Sequence, residues 1–369
     1  MGVKLKIRLF FFVLLTVCMI INCTGIKQLF SKKYEIYPTP SAHPLYPCEL
    51  CYGYVYFEDG LSTYIPFTYG ASPEWGRGLG THLLNNDNKF TLPVSISIGW
   101  LSIVEKKFYE LDDAPLPKER IKELLEMTYV EDKKHRQLYS ELVIGMAPYG
   151  GLAIWLNGVV QRTFVAWLQG KEADIDFSDY RSDSTQTTEE YCEWQLYNNN
   201  EKANENLQKN GFPGKELFEN YMQQFNYKIR VEFEDKEVLL EWIEMWYYNG
   251  ERDGAYLPMS GEHALYAMRA KPYKITLHWN VGGSHYEGFF WTDENKIVGA
   301  FSEFYNGNMQ KESELIIEIG ADNLEYGFYL SDASAKVQIP WDDMELIIFK
   351  DQQAFASHNY HRAEGKWRF

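Results

Sequence analysis

The chain has 369 residues, with 36 basic and 52 acidic side chains and a formal charge of −16 at neutral pH. Apolar residues make up 45% and charged residues 24%, a globular composition that excludes long disorder. The acidic balance argues against a dedicated nucleic-acid binder, which needs a basic face for phosphates, and an aromatic content of 16% favours half-buried strands.

The chain begins MGVKLKIRLFFFVLLTVCMIINCTG. Lys4, Lys6 and Arg8 precede an apolar run over 9–21 that is short for a membrane span and reads as the core of a signal peptide, residues 1–22. The run ends Ile20-Ile21-Asn22-Cys23, which resembles a bacterial lipobox, with Asn22 where Gly, Ala or Ser is usual. Cys23 is therefore the expected lipidation site, and an uncleaved N-terminal anchor is the alternative. Removing residues 1–22 takes away three basic groups and no acidic one, leaving 33 against 52 and a net charge of −19. The expected address is the bacterial cell envelope, lipid-anchored on the periplasmic side of the outer membrane. Lys27, Lys32 and Lys33 stand where an acidic surface-export run would stand.

Residues 23–47, rich in Lys, Pro and Ser, read as a tether. A β-rich domain is expected over 48–180 and a second over 191–369. In the first, Val94, Ile96, Ile98 and Trp100 alternate with small residues, as in a half-buried strand. Ile121, Leu124 and Leu125 after Pro117 have helical spacing. Residues 142–144 and 152–156 flank Pro148-Tyr149-Gly150-Gly151 as a hairpin, and 164–168 is the next strand. The polar stretch 178–190 reads as a loop or domain seam. Phe218, Tyr221, Met222 and Phe225 make a second helical stripe, and strands follow over 227–233 and 238–248. Residues 251–270 read as a linker. The last hundred residues repeat the grammar: strands at 275–281 and 286–291 about Gly282-Gly283, a helix capped by Thr292-Asp293, then strands at 315–320, 326–330 and 344–349. Ile144-Gly145-Met146-Ala147 followed by Leu156 echoes Ile319-Gly320-Ala321 followed by Leu330, as a duplication would leave them. The fold class expected is α+β, of mainly antiparallel sheets, each with one or two packed helices, in two similar lobes and without a parallel βαβ core.

Cys48-Glu49-Leu50-Cys51 is a C-x-x-C, but Pro47 precedes it and a β-like segment follows, so it lacks the helix start of a redox motif. No second C-x-x-C completes a zinc site. Cys48 and Cys51 are then candidates for a local disulfide, with Cys192 left as a buried thiol. Trp242, Trp246 and Tyr248 place aromatics on one strand, a candidate binding face if that strand lies at an edge; the alternative is a strand buried on both faces.

Trp100-Leu101-Ser102, Glu105, Lys107-Phe108-Tyr109, Pro117, Ile121, Gly145, Pro148, Gly150-Gly151, Trp155-Leu156 and Gly158 stand in a recognisable order. Trp75-Gly76 lies upstream, and Tyr221 and Phe225-Asn226-Tyr227 downstream. The pattern resembles a bacterial lipoprotein family, domain of unknown function 2931. The resemblance implies a lipoprotein context and no established chemistry; some members look like immunity proteins beside antibacterial toxins. Read on their own, the aromatics are core, the glycines serve a tight turn, and Glu105 with Lys107 makes a surface ion pair of little worth.

No nucleophile elbow, zinc-helix motif, P-loop or dinucleotide fingerprint occurs. The eight histidines are scattered, and His358 with His361 lacks a third metal ligand. Asp174, Asp176, Asp342 and Asp343 do not sit in a calcium-loop pattern. No metal or cofactor is expected, and the sequence assigns no catalytic residue. The expectation is a membrane-anchored, non-catalytic protein that binds another protein, a basic one given the charge, and is immunity-like. The alternative is an envelope hydrolase or sugar-binding protein with an aromatic cleft.

Overall fold

The computed structural model describes residues 32–66, 75–78, 88–130, 136–182, 184–256, 265–342 and 344–359. The signal-peptide segment, Cys23 and His361 lie outside them.

The first lobe runs β1 (Tyr34–Glu35), β2 (Tyr37–Ala42), β3 (Cys48–Phe57), β4 (Ser62–Tyr64), β5 (Lys89–Phe90), β6 (Pro93–Ser102), β7 (Lys107–Pro115), α1 (Lys118–Glu126), β8 (Thr128–Val130), β9 (Arg136–Leu138), β10 (Glu141–Met146), β11 (Gly151–Asn157), β12 (Arg162–Gln169) and β13 (Lys171–Ala173). One sheet is ordered β13-β7-β6-β3-β4; the other begins β2-β10-β11-β12. Their alternating apolar faces meet around Ile96, Ile98, Trp100, Ile144 and Ile154. Helix α1 adds Ile121, Leu124 and Leu125 to the same core, the residues whose spacing predicted it.

Four helices follow: α2 (Phe177–Tyr180), α3 (Thr188–Asn198), α4 (Glu201–Asn210) and α5 (Glu216–Met222). Thr187 and Glu190 form a reciprocal capping box that starts α3. The second lobe then runs β14 (Phe225–Phe233), β15 (Leu239–Tyr247), β16 (Arg252–Tyr256), β17 (Ala267–Arg269), β18 (Pro272–Val281), β19 (Ser284–Trp291), α6 (Glu294–Tyr305), β20 (Ser313–Ile319), β21 (Tyr326–Ser331), β22 (Lys336–Gln338), β23 (Glu345–Lys350) and β24 (Gln353–His358). The class is α+β with mainly antiparallel sheets.

The lobes repeat one pairing scheme. β2 pairs parallel with β10, and β14 pairs parallel with β20. β3 pairs with β6 through a bulge after Leu50, opposite Trp100, and a second bulge before Phe57; β15 pairs with β18 through a bulge after Leu240, opposite Trp279, and a second before Tyr247. β13 caps β7 as β23 caps β19. β5 pairs with β1 as β17 pairs with β14. Side chains follow the same register. Pro93, Ile96 and Trp100 on β6 correspond to Pro272, Ile275 and Trp279 on β18. Trp100 faces Tyr109 across the ladder with rings 5.8 Å apart, and Trp279 faces Tyr286 at 5.4 Å. Ser140-Glu141-Leu142 corresponds to Ser313-Glu314-Leu315.

The lobes share a sheet edge. β12 and β16 pair at Arg162 and Arg252, so ten strands run continuously from β2 to β24. Arg162 is buried, and its Nη1 donates to the carbonyls of Gly250 at 3.0 Å and Trp75 at 3.2 Å. Glu251 accepts from the Phe164 N–H at 3.0 Å, Gln224 at 3.0 Å and Asn249 at 2.8 Å, and burial raises its pKa. Phe218 and Tyr221 of α5 fill the seam with Tyr46, Trp75 and Trp155.

Several expectations are corrected. The tether does not extend to residue 47: residues 34–35 and 37–42 are strands, with Ile36 and Ala42 fully buried. β2 is the outermost strand, and the Tyr37 N–H donates inward to Ser140, so Pro38 and Pro40 point their missing donors away from the ladder. The supposed linker 251–270 contains β16 and β17. Helices 177–222 lie between the repeated lobes, which span 34–173 and 225–350, rather than starting at 48 and 191. Two parallel pairs interrupt the antiparallel pattern. The sequence echo is offset by two residues at its first part: register aligns Ile144 with Ile317, while Leu156 with Leu330 holds.

Candidate functional site

The outer face of the sheet β13-β7-β6-β3-β4 has a covered half and an open half. Over the covered half, α2 and α3 bury Leu101, Ile103 and Phe108 under Phe177, Tyr191 and Cys192. Glu49 lies here, fully buried, and accepts from the hydroxyls of Tyr180 at 2.7 Å and Tyr191 at 2.8 Å, with Arg181 3.8 Å away. Burial, then the charge of Glu49, pushes both phenols above their ordinary pKa, so they stay protonated donors.

On the open half, the alternation of β3 carries Tyr52, Tyr54 and Tyr56 to one side. Tyr64 of β4 stands directly opposite Tyr54. Tyr52, Tyr54 and Tyr64 are 40%, 46% and 55% exposed. Gly99 makes room for the Tyr52 ring: a Cβ there would lie 2.4 Å from Cε1. The Tyr52 hydroxyl reaches Glu110 at 3.4 Å, and burial with Glu110 raises its pKa. Ser97 donates to Asp112 at 3.1 Å, and Ser95 to Asp113 at 2.5 Å. The result is a tyrosine and serine platform flanked by three carboxylates, with Lys171 bound to Glu110 at 3.0 Å. Tyrosine offers large amphipathic contact area at low entropic cost, and serine adaptable hydrogen bonds. The signal is present in the sequence as Tyr52-x-Tyr54-x-Tyr56, but nothing in the sequence marks which half of the sheet face the helices cover.

The aromatic strand singled out from sequence is placed differently. β15 lies between β16 and β18, not at an edge. Trp242 is buried, and Trp246 lies beneath Arg252 and Lys274, whose cationic groups are 4.6 and 4.7 Å from its ring. Tyr248 stacks on Tyr221 at the seam, 5.4 Å between ring centres. The three residues therefore do not form an exposed binding face. Cys48 and Cys51 are free thiols. A disulfide does not form because the two point to opposite sides of β3, Cys48 into the first-lobe core and Cys51 towards Leu101 and Cys192. Burial raises the pKa of both thiols and that of Cys192, the last to about 12, which leaves them poor nucleophiles.

Several of the motif residues behind the family resemblance, Trp100, Glu105, Tyr109 and Gly150, meet at one turn. Glu105 accepts from the Tyr109 hydroxyl at 2.9 Å and the Tyr149 N–H at 2.9 Å, holding Tyr149 at a φ of +58°. The Trp100 indole donates to Ala147 O at 3.2 Å. At Gly150, φ is +72°, and a Cβ would meet Gly170 O at 2.7 Å. Glu105 thus clasps the two sheets together instead of pairing with Lys107, which bonds Glu172 at 2.7 Å.

Among the described residues no group of three or more His, Cys, Asp or Glu is placed to hold a metal ion, and no helix is long and apolar enough to cross a membrane. The histidine removed furthest from ordinary behaviour, His43, is buried among Tyr46, Trp75, Phe218 and Tyr221; burial pushes it down to about 3. Its Nδ1 accepts from the Leu45 N–H at 3.3 Å, and its ring stacks on Tyr46 and Tyr221.

Residues 43–214 match the family described as Protein of unknown function (DUF2931). The DUF2931 match takes in the Glu105 clasp, the tyrosine platform and helices α2 to α4, and it ends before the second lobe. No curated protein and no solved structure matches the chain.

Proposed function

We propose that this chain is a non-catalytic binding protein that presents the tyrosine platform of its first lobe to a basic protein. The observation that carries this reading is the exposure of Tyr52, Tyr54 and Tyr64 on one sheet face beside Glu110, Asp112 and Asp113. Exposed aromatics on a rigid sheet supply desolvated anchors, and the carboxylates select and steer a cationic partner. The lipobox-like Cys23 supports a lipid anchor at the cell envelope, with the acidic globule repelled from anionic lipid and reaching into solvent. An immunity role against a basic toxin is the form of this reading that the family resemblance favours.

The test compares the full-length chain with a Tyr52→Ala, Tyr54→Ala, Tyr64→Ala variant in co-purification at low and at high salt. The wild type should retain a basic protein at low salt, lose it at high salt, and lose it with the triple variant. Retention of neutral glycans at both salt levels, abolished by the variant, would reassign the platform to sugar. Turnover of a glycan or ester panel that survives the variant and is lost on changing one carboxylate would replace binding with catalysis.

A further inference from the structure

The seam inside the chain joins two unlike sheet edges, and the repeat leaves one further edge of each kind unpaired among the described residues. β12 of the first lobe meets β16 of the second. Their counterparts, β22 of the second lobe and β4 of the first, are the outermost strands of their sheets. We propose that β22 of one copy pairs with β4 of a second copy, head to tail, repeating between chains the joint already made within one.

The register supports the match residue by residue. In the seam Arg162 and Arg252 are antiparallel Cα partners. Arg162 sits opposite Asn157 on β11, and Lys336 sits opposite Ser331 at the corresponding place on β21, where its ammonium bonds Glu318 at 2.5 Å and lies over Tyr329, so the two strands share one register. Arg252 sits opposite Trp246, and Ser62 sits opposite Tyr56 at the corresponding place before the second bulge. The acceptor for Arg162 is Gly250 O, at a turn whose glycine has φ +84° and donates back to Tyr247 O at 2.9 Å. Gly60 forms the same turn in the first lobe, with φ +81° and a bond to Phe57 O at 2.9 Å. The turn that precedes β4 therefore has the backbone shape of the turn that precedes β16 in the seam.

The side chains around the two turns differ as an occupied and an open edge should. Where the seam has Glu251 and Arg252, the first lobe carries Leu61 and Ser62, and Leu61 is 53% exposed. An open edge with exposed apolar residues is a template for another strand. Because the two edges belong to different lobes, the contact is heterologous: each added copy offers a new β22, so the assembly grows as a chain and not as a two-fold dimer. Each copy carries −16, so like-charge repulsion opposes assembly and salt should favour it, the reverse of the effect on a basic partner.

The experiment co-expresses two differently tagged full-length chains, one with Ser62→Cys and one with Lys336→Cys, both at exposed positions. Antiparallel Cα partners lie about 4.5–5.5 Å apart, within the span of a disulfide. Mild oxidation should give a dimer bearing both tags, and both substitutions on one chain should give a ladder of higher species. Sedimentation of the unsubstituted full-length chain in detergent should show larger species as salt is raised. Symmetric cross-linking of the Ser62→Cys chain to itself, or absence of the mixed dimer with a single monomeric species at high salt, would overturn the proposal.

Discussion

The two lobes have the same strand pairing and the same bulges, yet their outer sheet faces have opposite fates. In the second lobe, the positions of Tyr52, Tyr54 and Tyr56 are taken by Trp242, Glu244 and Trp246. Glu244 binds Arg252, and Arg252 with Lys274 covers Trp246, so that face is satisfied within itself. In the first lobe the same positions carry phenols, of which Tyr52 and Tyr54 are exposed and Tyr56 is half-buried. The difference teaches that the repeated backbone is a frame. The family match, residues 43–214, takes in the lobe whose face is open and the helices that follow it, and stops before the second lobe.

The largest predicted contrast breaks the equivalence at the seam. Arg162→Ala removes a buried cation from two buried carbonyls and should cost about 3 kcal/mol in chemical denaturation, whereas Lys336→Ala at the equivalent open edge should cost less than about 0.5 kcal/mol. Equal costs would mean that the two edges are not an occupied and a free version of one joint.

His43 gives a contrast in pH. Its counterpart by strand register in the second lobe is Glu234, which accepts from the Ala321 N–H at 3.1 Å in an open groove. His43 stays neutral in the folded chain down to about 3, while the unfolded chain takes up its proton near 6.5. Between those values the unfolded state binds more protons, so stability falls as pH falls, by up to about 5 kcal/mol at the acid end. His43→Phe should flatten the acid limb of the stability curve. An unchanged limb would contradict this assignment.

Smaller effects follow on the first lobe's two halves. Glu49→Ala leaves the Tyr180 and Tyr191 hydroxyls without their shared acceptor and should cost about 2 kcal/mol. On the open half, Tyr54→Ala should leave stability within about 0.5 kcal/mol while weakening partner binding. A large loss of stability there would show that the platform is structural.

Much of the frame was legible. The period-2 runs at Val94 to Trp100 and Ile275 to Val281, and the stripe of Ile121, Leu124 and Leu125, were read because burial on one side imposes them. β2 was not legible, since its prolines imitate a tether unless the edge position is known. Helices α3 and α4 were also missed. α3 has apolar and polar residues around its whole circumference, and α4 buries only Ala203 outright, so neither shows a stripe. The platform is not legible because openness depends on what lies over a sheet face, here helices on one half of the first-lobe sheet and none of the described ones on the other. β3 and β15 are both inner strands, and what separates Tyr56 from the equivalent Trp246 is the cover that Arg252 and Lys274 place over the tryptophan ring.

The most direct measurement places a photo-reactive aromatic residue at Tyr56 in one full-length chain and at the equivalent Trp246 in another, and illuminates cells expressing each. A basic protein should be captured from position 56 in a salt-sensitive manner and not from position 246. Capture of the same protein from 246, or from both positions equally, would contradict the claim that the first lobe alone carries the open binding face.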